Sequence, residues 1–438
     1  MEGVLNRQPP ACWIITGWSF PLSAYVSRIV DTELDEILAT HPATLVVGPR
    51  ACGKTTTTRR LCHSILRLDV PAQAAVVRAD PDAALRALDE PVLVDEWQVV
   101  PEVLGAVKRA VDDDPRPGRF VLTGSSQTDL TTAGWPATGR IVRLTMHPLV
   151  GRERHGDPSA PSLIDRILAD GPDSFSDPSD DWDIHRYVAE ALTTGWPEAL
   201  RAPTERARDR WLTSYVDHLV TREAAALGVS RDPVLMRRYL QALAANTAGV
   251  PNHKLLYDAA GITRHSAVGY DDLLDTLMIT QRVPAWAGNR TDRAVRLPKR
   301  YLTDPGLLGP LLRIDQRRVL RDGDLLGRVL DTLAAAQLRA ECAASVVGAD
   351  LFHYRDANGR HEVDLLIEAR NGQMIAVEVK ATAAPSAADA RHLEWFAERV
   401  GSNFAAGIVL HTGPRVFRLA ERMVAVPIAS LWAPQVTG

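Results

Sequence analysis

The sequence predicts an α/β protein in several parts: a P-loop nucleotide-binding core, a helical middle region and a second α/β unit at the C-terminus. Three observations carry this. The apolar run Thr44-Leu45-Val46-Val47 leads into Gly48-Pro49-Arg50-Ala51-Cys52-Gly53-Lys54-Thr55, which has the phosphate-loop spacing G-x-x-x-x-G-K-[ST]. Residues 184–245 carry apolar side chains at helical spacing. Near the C-terminus, two alternating segments flank Asn371-Gly372 and read as paired strands.

Length and composition set the frame. A chain of 438 residues suggests about three domains, each able to bury a core. Charged residues make up 24% and apolar ones 46%, as in ordinary globular proteins, and the net charge of −4 excludes a uniformly basic nucleic-acid coat. The cysteines, Cys12, Cys52, Cys62 and Cys342, form no CxxC pair and no metal spacing, which fits a reducing compartment. Residues 1–24 read as an N-terminal extension. Its segment 11–20 is moderately apolar but has no basic stretch before it, and no run approaches the roughly 18 apolar residues of a membrane span. The expected location is the cytoplasm, with no membrane partner.

Residues 25–155 are assigned to the nucleotide-binding core. Successive N–H groups of a loop such as 48–55 wrap phosphates, Lys54 reaches the β/γ oxygens, and the Thr55 hydroxyl ligates Mg²⁺. Thr56 follows at the start of the next helix, whose N-terminus favours anions. A fortuitous glycine-rich turn is the bland alternative; strand, loop and helix occurring together argue against it. Pro91-Val92-Leu93-Val94-Asp95-Glu96 is an apolar strand ending in two acids, as a Walker B strand does. Asp95 is expected in the Mg²⁺ shell, and Glu96 is expected to orient the attacking water. A further strand, Phe120-Val121-Leu122-Thr123, ends in Gly124-Ser125-Ser126. Ser125 is the candidate γ-phosphate sensor, with Thr123 and Ser126 equally polar.

Residues 156–183, rich in Pro, Ser and Asp, read as a linker or insertion, and residues 184–245 as a helical region. Residues 246–312 have the rhythm of a winged helix. A short helix through Leu255 and Leu256, a turn at Gly261-Ile262, and a second helix capped by Thr263 come first. Strands are expected at 278–283 and 294–297. Arg282, Arg290, Arg293, Arg296, Lys299 and Arg300 face a single acid, Asp292, in this window, so two readings stand: a wing contacting nucleic-acid phosphates, most simply DNA, or a packing module with a solvated basic face.

Residues 320–438 hold the second chemistry. His361-Glu362-Val363-Asp364 and Ile375-Ala376-Val377-Glu378-Val379-Lys380 alternate so that adjacent strands gather Asp364, Glu378 and Lys380. This is the D-(x)n-E-x-K arrangement of a metal-dependent nuclease: the acids bind Mg²⁺, and Lys380 positions a water or balances charge. Upstream, Glu341 lies on the core-facing stripe of a helix with Ala334 and Leu338 and is expected to complete the metal set of Asp364 and Glu378. An edge hairpin with surface charges is the plain alternative.

Together with Tyr25-Val26-Ser27-Arg28-Ile29-Val30-Asp31, Asp95-Glu96-Trp97-Gln98, Gly195-Trp196-Pro197-Glu198-Ala199 and Lys299-Arg300-Tyr301-Leu302-Thr303-Asp304-Pro305-Gly306-Leu307, these motifs resemble the prokaryotic AAA-type P-loop ATPases that carry a C-terminal domain of unknown function. The resemblance covers residues 25–425. It implies an AAA-like ATPase core, a winged-helix module and a C-terminal restriction-endonuclease-like α/β domain of the PD-(D/E)XK type, with ATP and Mg²⁺ as cofactors. It also suggests Arg140 as an arginine that senses phosphate or reaches a neighbouring subunit, and so allows a homo-oligomer; an ordinary strand-edge arginine is the alternative. Trp97 departs from the smaller residues expected beside the acids, either to stack on a partner or to fill a gap. The expected function is an ATPase whose nucleotide state controls a nuclease-like, DNA-handling C-terminal domain. A regulatory switch, such as a toxin-antitoxin or defence component with a catalytically silent C-terminal binding module, is the alternative.

Overall fold

The computed structural model describes residues 25–124, 139–223, 232–356 and 358–433. The expected extension 1–24 and the candidate sensor Ser125 lie outside them.

The first unit is a five-stranded sheet in the order β2-β3-β4-β1-β5, formed by β1 (Ala43–Val47), β2 (Ser64–Arg67), β3 (Val92–Asp95), β4 (Phe120–Gly124) and β5 (Ile141–Thr145). All pairings are parallel. A parallel sheet is covered on both faces, and β1 is accordingly buried along its whole length. Ala43, Leu45 and Val47 pack with Val103, Leu104 and Val107 of the helix Val103–Asp113, whereas Val46 packs with Leu34 and Ile37 of the helix Val30–Thr40. Each of the Val, Leu and Ile side chains contributes about 1.5–3 kcal/mol by leaving water. The carboxyl ends of β1, β3 and β4 therefore meet at one edge, where the loop 48–55 and Asp95 stand.

The middle region is helical. Its members include Ile184–Thr193, Glu205–His218 and Pro233–Ala245. The helices His253–Ala260 and Arg264–Thr276 follow, joined at Gly261, whose φ of 67° suits a residue without Cβ. Thr263 Oγ1 accepts from the Ser266 N–H at 3.2 Å and caps the second helix. A two-stranded ribbon comes next, β6 (Thr280–Val283) paired antiparallel with β7 (Lys299–Leu302). The expected strand at 294–297 is not formed. A short helix, Arg290–Val295, takes in the first two residues of that stretch, begun by Asn289, whose side chain accepts from Thr291 N at 3.0 Å.

The second sheet contains β8 (Ala349–Arg355), β9 (Glu362–Ala369), β10 (Met374–Val379), β11 (Phe404–His411), β12 (Phe417–Ala420) and β13 (Met423–Pro427), ordered β12-β13-β11-β10-β9-β8. β9 and β10 pair antiparallel across the turn at Gly372, and β11 joins β10 in parallel. The helix Gly323–Ala343 packs on one face through Val329, Leu330, Leu333 and Leu338, and the helix Arg391–Val400 packs on the other through Leu393 and Phe396.

Residues 156–183 are not a linker. Ser162 caps a helix, Leu163–Asp170, which buries Leu163, Ile164 and Ile167 in the core shared by the middle region and the second sheet. Asp177 accepts from Val416 N and pairs with Arg415 at 2.8 Å, and Trp182 stacks on Tyr187 with centroids 5.2 Å apart. The Pro- and Asp-rich composition belongs to capped, anchored turns.

Candidate functional site

The loop 48–55 is shaped by close approach and by two left-handed residues. A Cβ on Gly48 would meet the Met146 carbonyl oxygen at 2.3 Å, and Ala51 and Gly53 have φ of 60° and 106°. Lys54 opens the helix Lys54–Arg59 and is only 6% exposed; its Nζ donates to the Gly48 and Pro49 carbonyls at 2.9 and 3.0 Å. The Thr55 hydroxyl donates to Asp95 Oδ1 at 2.8 Å, and the Thr123 hydroxyl donates to the same oxygen. A hydroxyl, a carboxylate and a lysine ammonium converging at the ends of β1, β3 and β4 form a donor set suited to a magnesium–triphosphate. Thr56 is exposed on the first turn beside them. Glu96, at φ 57°, follows Asp95 and accepts from the Gln98 side-chain amide.

The loop is held on two sides, from the middle region and from Arg28 of its own unit. The Trp196 indole N–H and the Tyr215 hydroxyl both donate to the Arg50 carbonyl, at 2.9 and 3.0 Å. Trp196 is fully buried and lies 4.9 Å from the Tyr215 ring. Arg28 reaches the other side of the loop. Its Nη1 donates to the Cys52 carbonyl at 2.9 Å, and its Nε pairs with buried Glu153 at 2.8 Å. The Gly195 N–H donates to Asp304 Oδ2 at 2.6 Å, which ties the Trp196 segment to the turn after β7. Burial pushes the Asp304 carboxyl up to about 6, against the donors from Gly195, Thr194 and Gly306. In the sequence, Gly195-Trp196-Pro197 stands out as a motif without a role, and Tyr215 does not stand out as a partner of the loop. Nothing in helical spacing distinguishes a Tyr that bonds a remote carbonyl from one that fills a core.

Position bears on two expectations about this unit. Arg140 precedes β5, whose first residue Ile141 lies beside Ala43 at the amino end of β1, so Arg140 stands at the edge opposite the loop. It pairs there with Asp112 at 2.9 Å, away from the loop of its own chain. Trp97 is 2% exposed and fills the space beside β4, where a Cβ on Gly124 would meet its Nε1 at 2.6 Å. It is a filler of that gap.

The C-terminal cluster differs from the expected metal set. Asp364 Oδ2 accepts from the Val379 N–H at 3.1 Å, and Glu378 Oε1 accepts from Lys380 Nζ at 2.8 Å. Glu341 is not there. Its carboxylate pairs with Arg152 at 3.1 Å and accepts from Leu163 N at 2.8 Å, capping the helix Leu163–Asp170. The acid that the helix Gly323–Ala343 sends to the cluster is Asp331, more than two turns earlier. Lys299 of β7 lies between the acids, its Nζ 2.7 Å from Asp331 Oδ2 and 3.1 Å from Asp364 Oδ1. Tyr301 donates to Asp331 Oδ1 at 2.9 Å. Burial opposes the charge of Lys299, but Asp331 and Asp364 outweigh it and raise its pKa. Burial likewise works against Asp364, and Lys299 holds that carboxyl below its ordinary range. Burial, then the neighbouring Asp364, pushes Glu378 up to about 8. Among the described residues no group of three or more His, Cys, Asp or Glu is placed to hold a metal ion. With an ammonium already between the acids, this donor set does not fit Mg²⁺.

The basic window is also used inside the fold. Arg300 pairs with Asp271 at 2.8 Å, both side chains buried, and Arg282 pairs with Asp275. Arg293 Nη2 donates to Glu368 at 2.9 Å, and Arg296 donates to the Arg355 carbonyl at 3.1 Å. With Lys299 in the cluster, five of the six cations meet partners within the chain, and the side chain of Arg290 lies outside the described ones. Among the described side chains, the cations of this window are thus engaged within the fold.

Comparison with known proteins adds a frame. An AAA domain model matches residues 40–155, and two models described as domains of unknown function, DUF8612 and DUF4143, match residues 184–318 and 326–431. The first unit is thus AAA-like, of the P-loop ATPase class. An uncharacterized protein of Mycobacterium bovis is 27% identical over 404 residues, covering 91% of this chain and 83% of that protein; one of Mycobacterium tuberculosis matches to the same extent. A Walker-type ATPase of Pyrococcus abyssi has a TM-score of 0.39 and 18% identity, covering 65% of this chain and 94% of its own. The Drosophila ORC structure bound to DNA has a TM-score of 0.20 and 14% identity, covering 65% of this chain and 85% of its own. Structural likenesses this slight say nothing of substrate or partner. Among the described residues no helix is long and apolar enough to cross a membrane.

Proposed function

We propose that the chain binds and hydrolyses ATP at the loop 48–55 and works as a nucleotide-dependent switch, with its middle region reading the loop through the Arg50 carbonyl. The observation that carries this reading is the pair of donors, Trp196 and Tyr215, that converge from the helical region on one carbonyl of the phosphate loop. Lys54 would leave the Gly48 and Pro49 carbonyls for the β/γ oxygens. Thr55 and Asp95 would hold Mg²⁺, which neutralises charge on those oxygens, and Glu96 would orient the attacking water. A phosphate entering the loop would draw on the N–H groups of the same peptide segment whose carbonyls Arg28, Trp196 and Tyr215 hold. Rearrangement of residues 50–52 is therefore felt by both neighbouring segments.

Metal-dependent phosphodiester cleavage at Asp364, Glu378 and Lys380 is the second reading. One observation favours it: Glu378 Oε2 is buried and has no hydrogen-bond partner among the described residues, as a ligand-facing oxygen would be. The ammonium of Lys299 between the acids weighs more heavily, and we read the C-terminal unit as a silent binding module. The reading includes no nucleic-acid contact through residues 282–300, whose described cations are engaged within the chain.

The test is ATP turnover by wild type, Lys54→Ala and Glu96→Gln. Loss of binding in Lys54→Ala, together with retained binding and turnover slowed on the order of 10²-fold or more in Glu96→Gln, is the expected result. Normal hydrolysis in Lys54→Ala would remove the site assignment.

A further inference from the structure

The second sheet has the strand acids of a metal site, yet the position between them is taken by a side chain from the middle region. Lys299 is 2% exposed and belongs to β7, where its backbone pairs with Val283. Its Nζ touches Asp331 Oδ2 at 2.7 Å, Asp364 Oδ1 at 3.1 Å and the Asp364 carbonyl at 3.3 Å. These are the oxygens, from the helix Gly323–Ala343 and from β9, that a divalent ion would draw to itself at about 2.0–2.6 Å. The second oxygen of each acid also accepts a hydrogen bond, from the Tyr301 hydroxyl and the Val379 N–H.

We propose that Lys299 is the resident cation of this carboxylate cluster: its ammonium takes the metal's place between Asp331 and Asp364, so the wild-type site binds no divalent ion and the C-terminal unit carries out no metal-dependent cleavage. Two buried carboxylates left without a counter-charge would be costly, and a lysine supplied from β7 answers that cost while joining the middle region to the second sheet. Adding a divalent ion beside the buried ammonium would set like charges together in an interior that screens them poorly. Glu378 Oε2, buried and without a hydrogen-bond partner among the described residues, is the oxygen of the set that the lysine leaves unused. The inference is independent of the nucleotide reading, because none of these groups belongs to the P-loop unit.

The test is Mn²⁺ binding to the full chain without nucleotide, followed by electron paramagnetic resonance, in wild type, Asp364→Asn, Lys299→Ala and Lys299→Ala/Asp364→Asn. Coincident isotherms are expected for wild type and Asp364→Asn, since any ion at Thr55 and Asp95 is common to both. Lys299→Ala should gain one saturable site per chain, and the double variant should lose it. A wild-type site removed by Asp364→Asn overturns the proposal, as does a folded Lys299→Ala that gains no site. If Lys299→Ala does not fold, the first pair decides alone: coincident isotherms carry the proposal, and a difference overturns it.

Discussion

Tyr215→Phe isolates the contact on which the switch reading depends. The substitution removes one hydroxyl and keeps the ring, which stacks on Trp211 with centroids 5.2 Å apart and lies against Trp196. What is lost is a neutral hydrogen bond of 3.0 Å to the Arg50 carbonyl, a contact of about 1 kcal/mol net. The carbonyl keeps the Trp196 indole donor at 2.9 Å, so it is not orphaned, and unfolding free energy should fall by no more than about 1 kcal/mol. If the bond holds the loop in its phosphate-accepting shape, the same energy appears in nucleotide binding, where about 1 kcal/mol is roughly fivefold in Kd. The assay is calorimetric titration of ATP with Mg²⁺ in a Glu96→Gln background, which suppresses turnover, with and without Tyr215→Phe. A weaker ATP affinity beside a small stability loss supports the reasoning. Unchanged affinity beside the same stability loss refutes it, because the bond would then join two regions without sensing nucleotide.

Buried charge leads to two further outcomes. Arg300→Met leaves Asp271 buried without its partner and should cost about 3–5 kcal/mol in urea unfolding, whereas Arg282→Ala, at a half-exposed pair, should cost about 1 kcal/mol or less; equal costs would show that the Arg300 pair is not the anchor of the ribbon. Glu378, raised from an ordinary 4.5 to about 8, stays protonated in the folded chain while the unfolded chain ionises. Folding stability should therefore fall as pH rises across that window, by at most about 1.4 kcal/mol per pH unit. Glu378→Gln should abolish that fall, so parallel pH profiles for variant and wild type would contradict the assignment.

The nucleotide unit was legible because its signals are local. Loop 48–55 and the acid pair Asp95-Glu96 are each a short contiguous stretch, and parallel strands deliver them to one edge. The C-terminal cluster was legible only in part. Glu341 and Asp331 are both buried acids on one helix, and the stripe rule cannot tell which end of a 21-residue helix meets β9 and which meets Arg152. The basic window misled for a related reason. Lys299, Arg300 and Arg293 find their partners not in the window's own acid, Asp292, but in Asp331, Asp271 and Glu368, across distances that local charge counting ignores. In residues 156–183, Leu163, Ile164 and Ile167 carried a helical spacing that the Pro, Ser and Asp content obscured.

Communication between the loop and the middle region is the central claim, and hydrogen exchange read by mass spectrometry tests it directly. Glu96→Gln with saturating ATP and Mg²⁺ is compared with the same chain without nucleotide, with Lys54→Ala as the control. Altered exchange in residues 195–218 and 299–306, as well as in the loop, is the predicted result, with no change in Lys54→Ala. Protection confined to residues 40–155 would contradict it, leaving an ATPase whose nucleotide state the rest of the chain does not read.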